Sequence, residues 1–385
     1  QRATAADGAF SVTLRLPVGG LYRIELRSSA TEVTPPLSAK QWEARHHIGV
    51  GDNYLIAGQS NAAGVGRGYI TETPDLRVHV YRDAREWDLA THPFDTVRDR
   101  HNPWLSFAKT LARVLGYPVG LIPTAVSGSQ IRQWLPEEVG NLYRGMRETV
   151  GNGHIGIRGV IWYQGCAEAM DGFGHLYFDK LQSLIAHLRE DFRDPELPVL
   201  LVQINRHIDG NKAPDHQASW GAVREAERQA ARRIQNVYVT TASDSVMSDG
   251  IHNAPITNAA VGERVGRLAL GHLYGWGADY DAADLTGARL LSDTEVELTF
   301  AHLHTLVTFG LAPEKLPIRV TDDEGEAALL SYTCACERVT LTLARPVTGR
   351  VYVSAMDRVE EPYYIVDGGT QIPILAFYRV EATRA

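Results

Sequence analysis

Short apolar runs alternating with amphipathic stretches dominate the middle of the chain. Asn53-Tyr54-Leu55-Ile56-Ala57 is one such run, and residues 118–123, 160–163, 199–202 and 237–240 are others. Runs this short, flanked by loop-forming residues, fit parallel strands buried on both faces. Between them Leu105, Ala108, Leu111, Ala112 and Leu115 recur at helical spacing, as do Tyr177, Leu181, Leu184, Ile185 and Leu188. Both stripes read as core-facing sides of helices. Strand and helix thus alternate over residues 51–278, which predicts an α/β fold with a parallel sheet between two layers of helices.

The ends of the chain follow a different period. Residues 10–16 and 21–26 alternate apolar with polar around Val18-Gly19-Gly20, the signature of a hairpin. Residues 1–50 therefore predict a β-rich region, part of a small β-sandwich. Over residues 279–385 the helical period disappears, and 295–300, 318–320, 339–343 and 350–353 read as strands of a C-terminal β-domain. A length of 385 residues agrees with more than one domain.

Composition narrows the partners. A formal net charge of −8 argues against nucleic acid, whose phosphates favour a basic face. No apolar run approaches the length of a membrane span, and none fits a signal peptide. The chain opens at Gln1 inside a strand-like pattern, which suggests a removed leader and a secreted or periplasmic address. Three cysteines supply no disulfide framework: Cys334 and Cys336 share one strand face, and Cys166 has no evident partner. His302 and His304 read as ordinary histidines, and Gly64-x-Gly66-x-Gly68 as a flexible wall, not a phosphate loop. Neither H-E-x-x-H nor C-x-x-C occurs, so no metal or cofactor is called for.

Candidate chemistry gathers where the apolar runs end. After the first comes Gly58-Gln59-Ser60-Asn61, in which a glycine permits a sharp turn that lifts Ser60 to the carboxyl edge of the sheet. A nucleophilic serine needs a base and an acid to orient that base, and Asp249-Gly250-Ile251-His252 offers both at a spacing of three. Ala125-Val126-Ser127-Gly128 follows a second run, and its Gly128 amide is a candidate oxyanion donor. Tyr163-Gln164-Gly165-Cys166-Ala167-Glu168 follows a third and contributes the Gln164 carboxamide.

These blocks resemble those of the SGNH hydrolase superfamily, and more narrowly the sialate O-acetylesterase branch of carbohydrate esterases. The likeness extends to residues 50–55, to Arg224-Glu225-Ala226 and to residues 261–269. It implies an SGNH (flavodoxin-like) three-layer α/β domain flanked by β-rich regions. It also implies Ser60 as nucleophile, His252 as base, Asp249 as its orienting acid, and an oxyanion hole from Ser60, Gly128 and Gln164. Gln59, Asn61, Arg132 and Glu168 are the candidate substrate contacts. Two positions depart from the family: Cys166-Ala167-Glu168 stands where Glu-Ser-Asn or Glu-Ser-Asp is usual, and Arg132 where an acid is common. Those later positions are expected to shape the pocket wall and the choice of sugar.

The expectation is a serine esterase that removes O-acetyl groups from a carbohydrate, sialic acid or another acetylated glycan, through an acetyl-enzyme. Arg132, Arg158 and Arg206 are candidates to face an anionic sugar. The competing expectation is a carbohydrate-binding or degenerate homologue without turnover, motivated by the altered block after Gly165.

Overall fold

The computed structural model describes residues 11–28, 40–82, 86–94, 100–153, 155–277 and 279–384. In chain order, β1 (Gly19–Ser28) and β2 (Lys40–Val50) form an antiparallel ribbon. Then come β3 (Asp52–Gly58), α1 (Ser60–Ala63), β4 (Gly66–Arg67), β5 (Val78–Tyr81), β6 (Trp87–Leu89), β7 (Arg100–His101), α2 (Trp104–Leu115) and β8 (Val119–Pro123). They are followed by α3 (Asn141–Gly153), β9 (Gly159–Tyr163), α4 (Cys166–Met170), α5 (Tyr177–Asp191), β10 (Val199–Gln203), α6 (Pro214–Arg233), β11 (Val237–Thr241) and α7 (Pro255–Tyr274).

Seven strands make one sheet in the order β11-β10-β9-β3-β8-β5-β6, parallel except for the edge strand β6. This is a mixed α/β fold, a mostly parallel sheet with helices, and β-rich regions precede and follow it in the chain. Burial explains the central position of β3: Tyr54, Leu55, Ile56 and Ala57 are all buried, so both faces of the strand are covered. Tyr54 meets Phe107 of α2 edge-on at 4.9 Å. Small residues let α7 lie directly on α2, since a Cβ at Gly262 would come within 2.0 Å of the Pro103 carbonyl oxygen.

The chain passes from β3 through β5 to β8 on one side, then crosses to β9 on the other. The carboxyl ends of β8, β3 and β9 therefore surround a crevice of the kind where open α/β sheets bind ligands.

Beside a short ribbon of Leu306–Val307 with Val366–Asp367, the described residues of the C-terminal part form two mainly antiparallel sheets. One contains Asp284–Ser292, Glu295–Ala301, Leu329–Ala335 and Arg338–Leu343, with Thr383–Arg384 on its edge. The other contains Ile318–Asp322, Gly325–Ala327, Tyr352–Ala355 and Phe377–Glu381. Val296, Leu298, Phe300, Val320, Leu341, Val353 and Phe377 lie in their shared core.

The N-terminal hairpin differs from expectation. Residues 11–17 carry no regular structure, and β1 pairs instead with β2, from Gly19 opposite Val50 to Ser28 opposite Lys40. Val12 and Leu14 are exposed, so the alternation there has no face to bury and no partner to fix its register. Phe10 lies outside the described residues.

Candidate active site

The turn after β3 is built by glycine. Gly58 has φ +133°, and a Cβ on it would lie 2.2 Å from the Tyr163 carbonyl oxygen of β9. Only glycine lets the two strand ends approach this closely while the chain turns into α1. Ser60 begins that helix and is nearly buried.

Across the crevice, the loop after β11 presents Asp249 and His252. Asp249 Oδ1 accepts the amides of Ile251 (3.0 Å) and His252 (2.8 Å), which makes a tight turn of the tetrapeptide. His252 Nδ1 lies 2.8 Å from Asp249 Oδ2. The two donated amides and the imidazole hold the Asp249 carboxyl down at about 2, against the opposing effect of its partial burial. An ionised carboxylate keeps the ring proton on Nδ1, so Nε2 carries the free lone pair.

Asn61 ties the two loops together. Its Oδ1 accepts the Asn253 amide at 3.0 Å and its Nδ2 reaches the Ile251 carbonyl at 3.3 Å, so it grips both neighbours of His252. Ser60 and His252 make no hydrogen bond to each other among the described residues.

Asn205, just beyond β10, is a hub that was not among the sequence-derived candidates. Its Nδ2 donates to Ile251 O and to Asn253 Oδ1, both at 2.8 Å, while its Oδ1 faces Asn61 Nδ2 at 3.4 Å. Helix α6 fixes its backbone: Trp220 Nε1 and Arg224 Nη2 donate to Asn205 O at 3.0 and 2.7 Å, and Glu227 accepts the Ile204 amide at 3.0 Å. A polar residue directly after a buried strand was the available signal. Arg67 was also missed: its Nε stands 3.8 Å from Asp249 Oδ2, and most of its side chain is exposed.

On the other side of Ser60, Gly128 has φ +72° in the turn closed by the Ser129 amide on Val126 O. Among the described residues, the amides of Ser60 and Gly128 donate to no protein acceptor.

Gln164 requires a correction. Its Nε2 donates to Ser129 O (3.1 Å) and to Glu168 Oε2 (2.5 Å), and its Oε1 accepts the Tyr177 hydroxyl (2.9 Å). Both amide protons are committed inside the protein, so none remains for an oxyanion. Glu168 is corrected with it: buried, it accepts the Ile131 amide at 2.7 Å as well as Gln164, and burial pushes its carboxyl upward. It braces the β8 and β9 loops against each other. Cys166 is likewise buried, with Sγ 3.6 Å from Asn205 Oδ1 and its thiol pushed up by burial.

The remaining candidates fall into place similarly. Gln59 is buried and accepts the Gly165 and Ala167 amides at 3.1 and 3.3 Å, which makes it a support for α4. Asn61 is a buried bridge, as above. Arg132 is exposed, with Nε on Gln130 Oε1 at 2.7 Å. Arg158 sits at the amino end of β9, bonded to Leu273 O, and so lies at the wrong edge of the sheet for the crevice. Arg206 is engaged by Ser245 O and Glu361 O. Gly66 is closely packed, not flexible, because a Cβ there would meet Asn253 O at 2.6 Å.

A cavity of about 970 Å³ lined by His46, His79, Trp87 and Pro118 opens at the amino ends of β3 and β8, the edge opposite Ser60. Of groups able to hold a metal, Glu72, His92 and His101 converge, whereas His304 pairs with Asp367 and Asp279, and His302 lies 3.9 Å from Asp281. Among the described residues, no helix is long and apolar enough to cross a membrane.

Known proteins share this organisation. The sequence profile of the family described as carbohydrate esterase, sialic acid-specific acetylesterase, matches residues 50–270. A probable carbohydrate esterase of Arabidopsis thaliana is 28% identical over 180 residues, 39% of this chain and 68% of the relative. Among solved structures, a carbohydrate acetylesterase from Xanthomonas citri superposes with a TM-score of 0.72 at 22% identity, covering 94% of this chain and 87% of that one. An Arabidopsis thaliana protein superposes with a TM-score of 0.50 at 23% identity, covering 57% and 98%. At these identities the superpositions speak for the fold, and the first extends it to the flanking β-rich regions. Because the profile spans more than half of the sequence, the chain belongs to the sialic acid-specific acetylesterase family and is a carbohydrate O-acetylesterase.

Proposed function

We propose that the chain hydrolyses O-acetyl esters of a carbohydrate by serine catalysis, with Ser60, His252 and Asp249 as the reacting triad. The observation that carries this reading is the Asn61 bridge, which holds the Ser60 turn to both neighbours of an imidazole already oriented by Asp249.

His252 Nε2 takes the Ser60 hydroxyl proton as Oγ attacks the acetyl carbonyl. The Ser60 and Gly128 amides donate to the oxyanion of the tetrahedral intermediate. Collapse expels the sugar alkoxide, which takes the proton from His252 and leaves an acetyl-serine. Water, deprotonated by His252, adds to that ester; acetate departs and Ser60 regains its proton. Asp249 stays ionised throughout and stabilises the imidazolium. Gln164 and Glu168 hold the Gly128 loop in place. The chemistry resides in residues 51–278, with 1–50 and 279–385 as flanking β-rich regions.

An acetylated sialic acid fits the family, and Arg67, exposed beside Asp249, is the cation best placed to meet its carboxylate. The test is acetate release from acetylated sialic acid and from neutral acetylated sugars, with mass analysis of Ser60 after rapid quenching. Ser60→Ala should abolish both turnover and the acetyl adduct. Full activity in that variant would refute the mechanism, while activity on neutral sugars alone would refute the sialic acid assignment only.

A further inference from the structure

Glu72, His92 and His101 come from three separate segments and meet beside the β4–β7 ribbon. His92 Nε2 and His101 Nε2 each lie 3.1 Å from the same oxygen, Glu72 Oε2. All three ligand atoms fall within 4.8 Å of one another. Side-chain exposure is only 8% for Glu72, 14% for His92 and 4% for His101.

From this convergence we propose a binding site for one divalent transition-metal ion, with Zn²⁺ the best match. Zinc bonds of about 2.0–2.1 Å in tetrahedral geometry place neighbouring ligand atoms roughly 3.3 Å apart. The two separations of 3.1 Å are close to that edge length. Two imidazoles and one carboxylate form an established donor set for zinc, leaving a fourth position for water.

Nδ1 of both His92 and His101 is buried without a partner among the described residues, and it stays so whether Nε2 faces Glu72 alone or an ion. The rings stack with centroids 3.8 Å apart. The other carboxylate oxygen, Glu72 Oε1, is served separately by the Ser106 hydroxyl at 2.7 Å, with Lys109 Nζ at 4.0 Å. Ser106 thus orients the carboxylate from behind, as partners beyond the ligands do in metal sites. Lys109 is a cation that opposes a metal, and it stands on the far oxygen.

The ion would act as a structural pin. His101 pairs with Gly66, and Arg100 with Arg67, across the β4–β7 ribbon. Arg67 in turn donates its amide to Ser248 Oγ at 3.1 Å and faces Asp249. A metal at His101 therefore fastens the wall next to the Asp249–His252 turn without touching the reacting atoms.

The experiment uses the full chain, stripped with chelator and dialysed against Zn²⁺ or Co²⁺. Bound metal is measured by plasma mass spectrometry, coordination by the visible spectrum of the Co²⁺ form, and stability by melting with and without Zn²⁺. Glu72→Gln keeps an acceptor for the histidines and the Ser106 contact but loses the charge; His101→Gln removes one ligand. The expected result is one ion per chain, a four-coordinate Co²⁺ spectrum, and a melting temperature raised by Zn²⁺. Both variants should weaken binding by more than the roughly 10–100-fold seen when a supporting hydrogen-bond partner of a ligand is lost. Neither should respond to Zn²⁺ on melting, and their metal-free melts show whether they fold. Absence of bound metal in the parent chain would overturn the proposal, as would equal uptake by the parent and both variants; the cluster would then be a hydrogen-bonded strut.

Discussion

Replacing Asn61 by alanine should separate the nucleophile from its base without touching either. Asn61 is buried, and its carboxamide is the partner of the Asn253 amide and a second donor to Ile251 O. Ile251 O keeps the 2.8 Å bond from Asn205 Nδ2, and Asn205 Oδ1 loses Asn61 but keeps the Cys166 thiol at 3.6 Å, so the Asn253 N–H is the group left without a partner. One buried unpaired amide costs about 1–3 kcal/mol, and the lost 3.3 Å contact adds roughly 0.5 kcal/mol. About 2–3 kcal/mol corresponds to a melting temperature lowered by roughly 5–10 °C for a region of this size. The effect on turnover should be larger, because a displacement of the order of 1 Å between reacting groups costs about 100-fold. Asn61→Asp restores an acceptor for Asn253 but sets a second oxygen against Ile251 O, so it should melt between alanine and wild type. The assay is kcat and KM on a small activated acetate ester, with melting in parallel. If Asn61→Ala lowers the melting temperature yet keeps kcat within about threefold, Asn61 is a packing residue and the bridge does not set the catalytic register.

Glu361 is buried, and burial raises its carboxyl to about 7. Between about pH 4.3 and 7 the unfolded chain has lost that proton and the folded chain retains it, so stability falls as pH rises. Glu361→Gln should flatten this part of the melting profile by an amount of order 3 kcal/mol; a variant with the parent's slope would refute it. Glu168→Gln sets a carboxamide between the Ile131 amide and Gln164 Nε2, so one donor faces another. Activity should fall by a similar factor on a simple acetate ester and on acetylated glycans, and a loss confined to glycans would return Glu168 to the pocket wall.

Much of the architecture was legible because it depends on burial. Tyr54-Leu55-Ile56-Ala57 can be little other than a strand covered on both faces, and Gly58 marks where it must turn. Asp249 and His252 were readable because three residues suffice for a local turn to join them. What escaped depends on side chains meeting across the fold. Gln164 offers two amide protons in any sequence, but only the positions of Ser129 O and Glu168 show that both are spent. Asn205 contacts residues more than forty positions away, and Glu72, His92 and His101 have no spacing that a motif could encode. The strand expected over residues 10–16, of which 11–16 carry no regular structure, shows the converse: alternation predicts a strand only where a neighbour exists to pair with it.

The Arg224 side chain joins two parts of the molecule through a single guanidinium. It donates to Ile204 O and Asn205 O on the sheet side, and to Met356 O and Arg358 O on the C-terminal side. Removing the C-terminal sheets would take two carbonyl acceptors from this guanidinium and admit water in their place, at the very group that clamps the Asn205 backbone. In this chain the C-terminal part is therefore a remote buttress of the catalytic turn: shortening the chain before residue 356 should loosen Asn205 and, through its side-chain amide, the Ile251–Asn253 segment that carries His252.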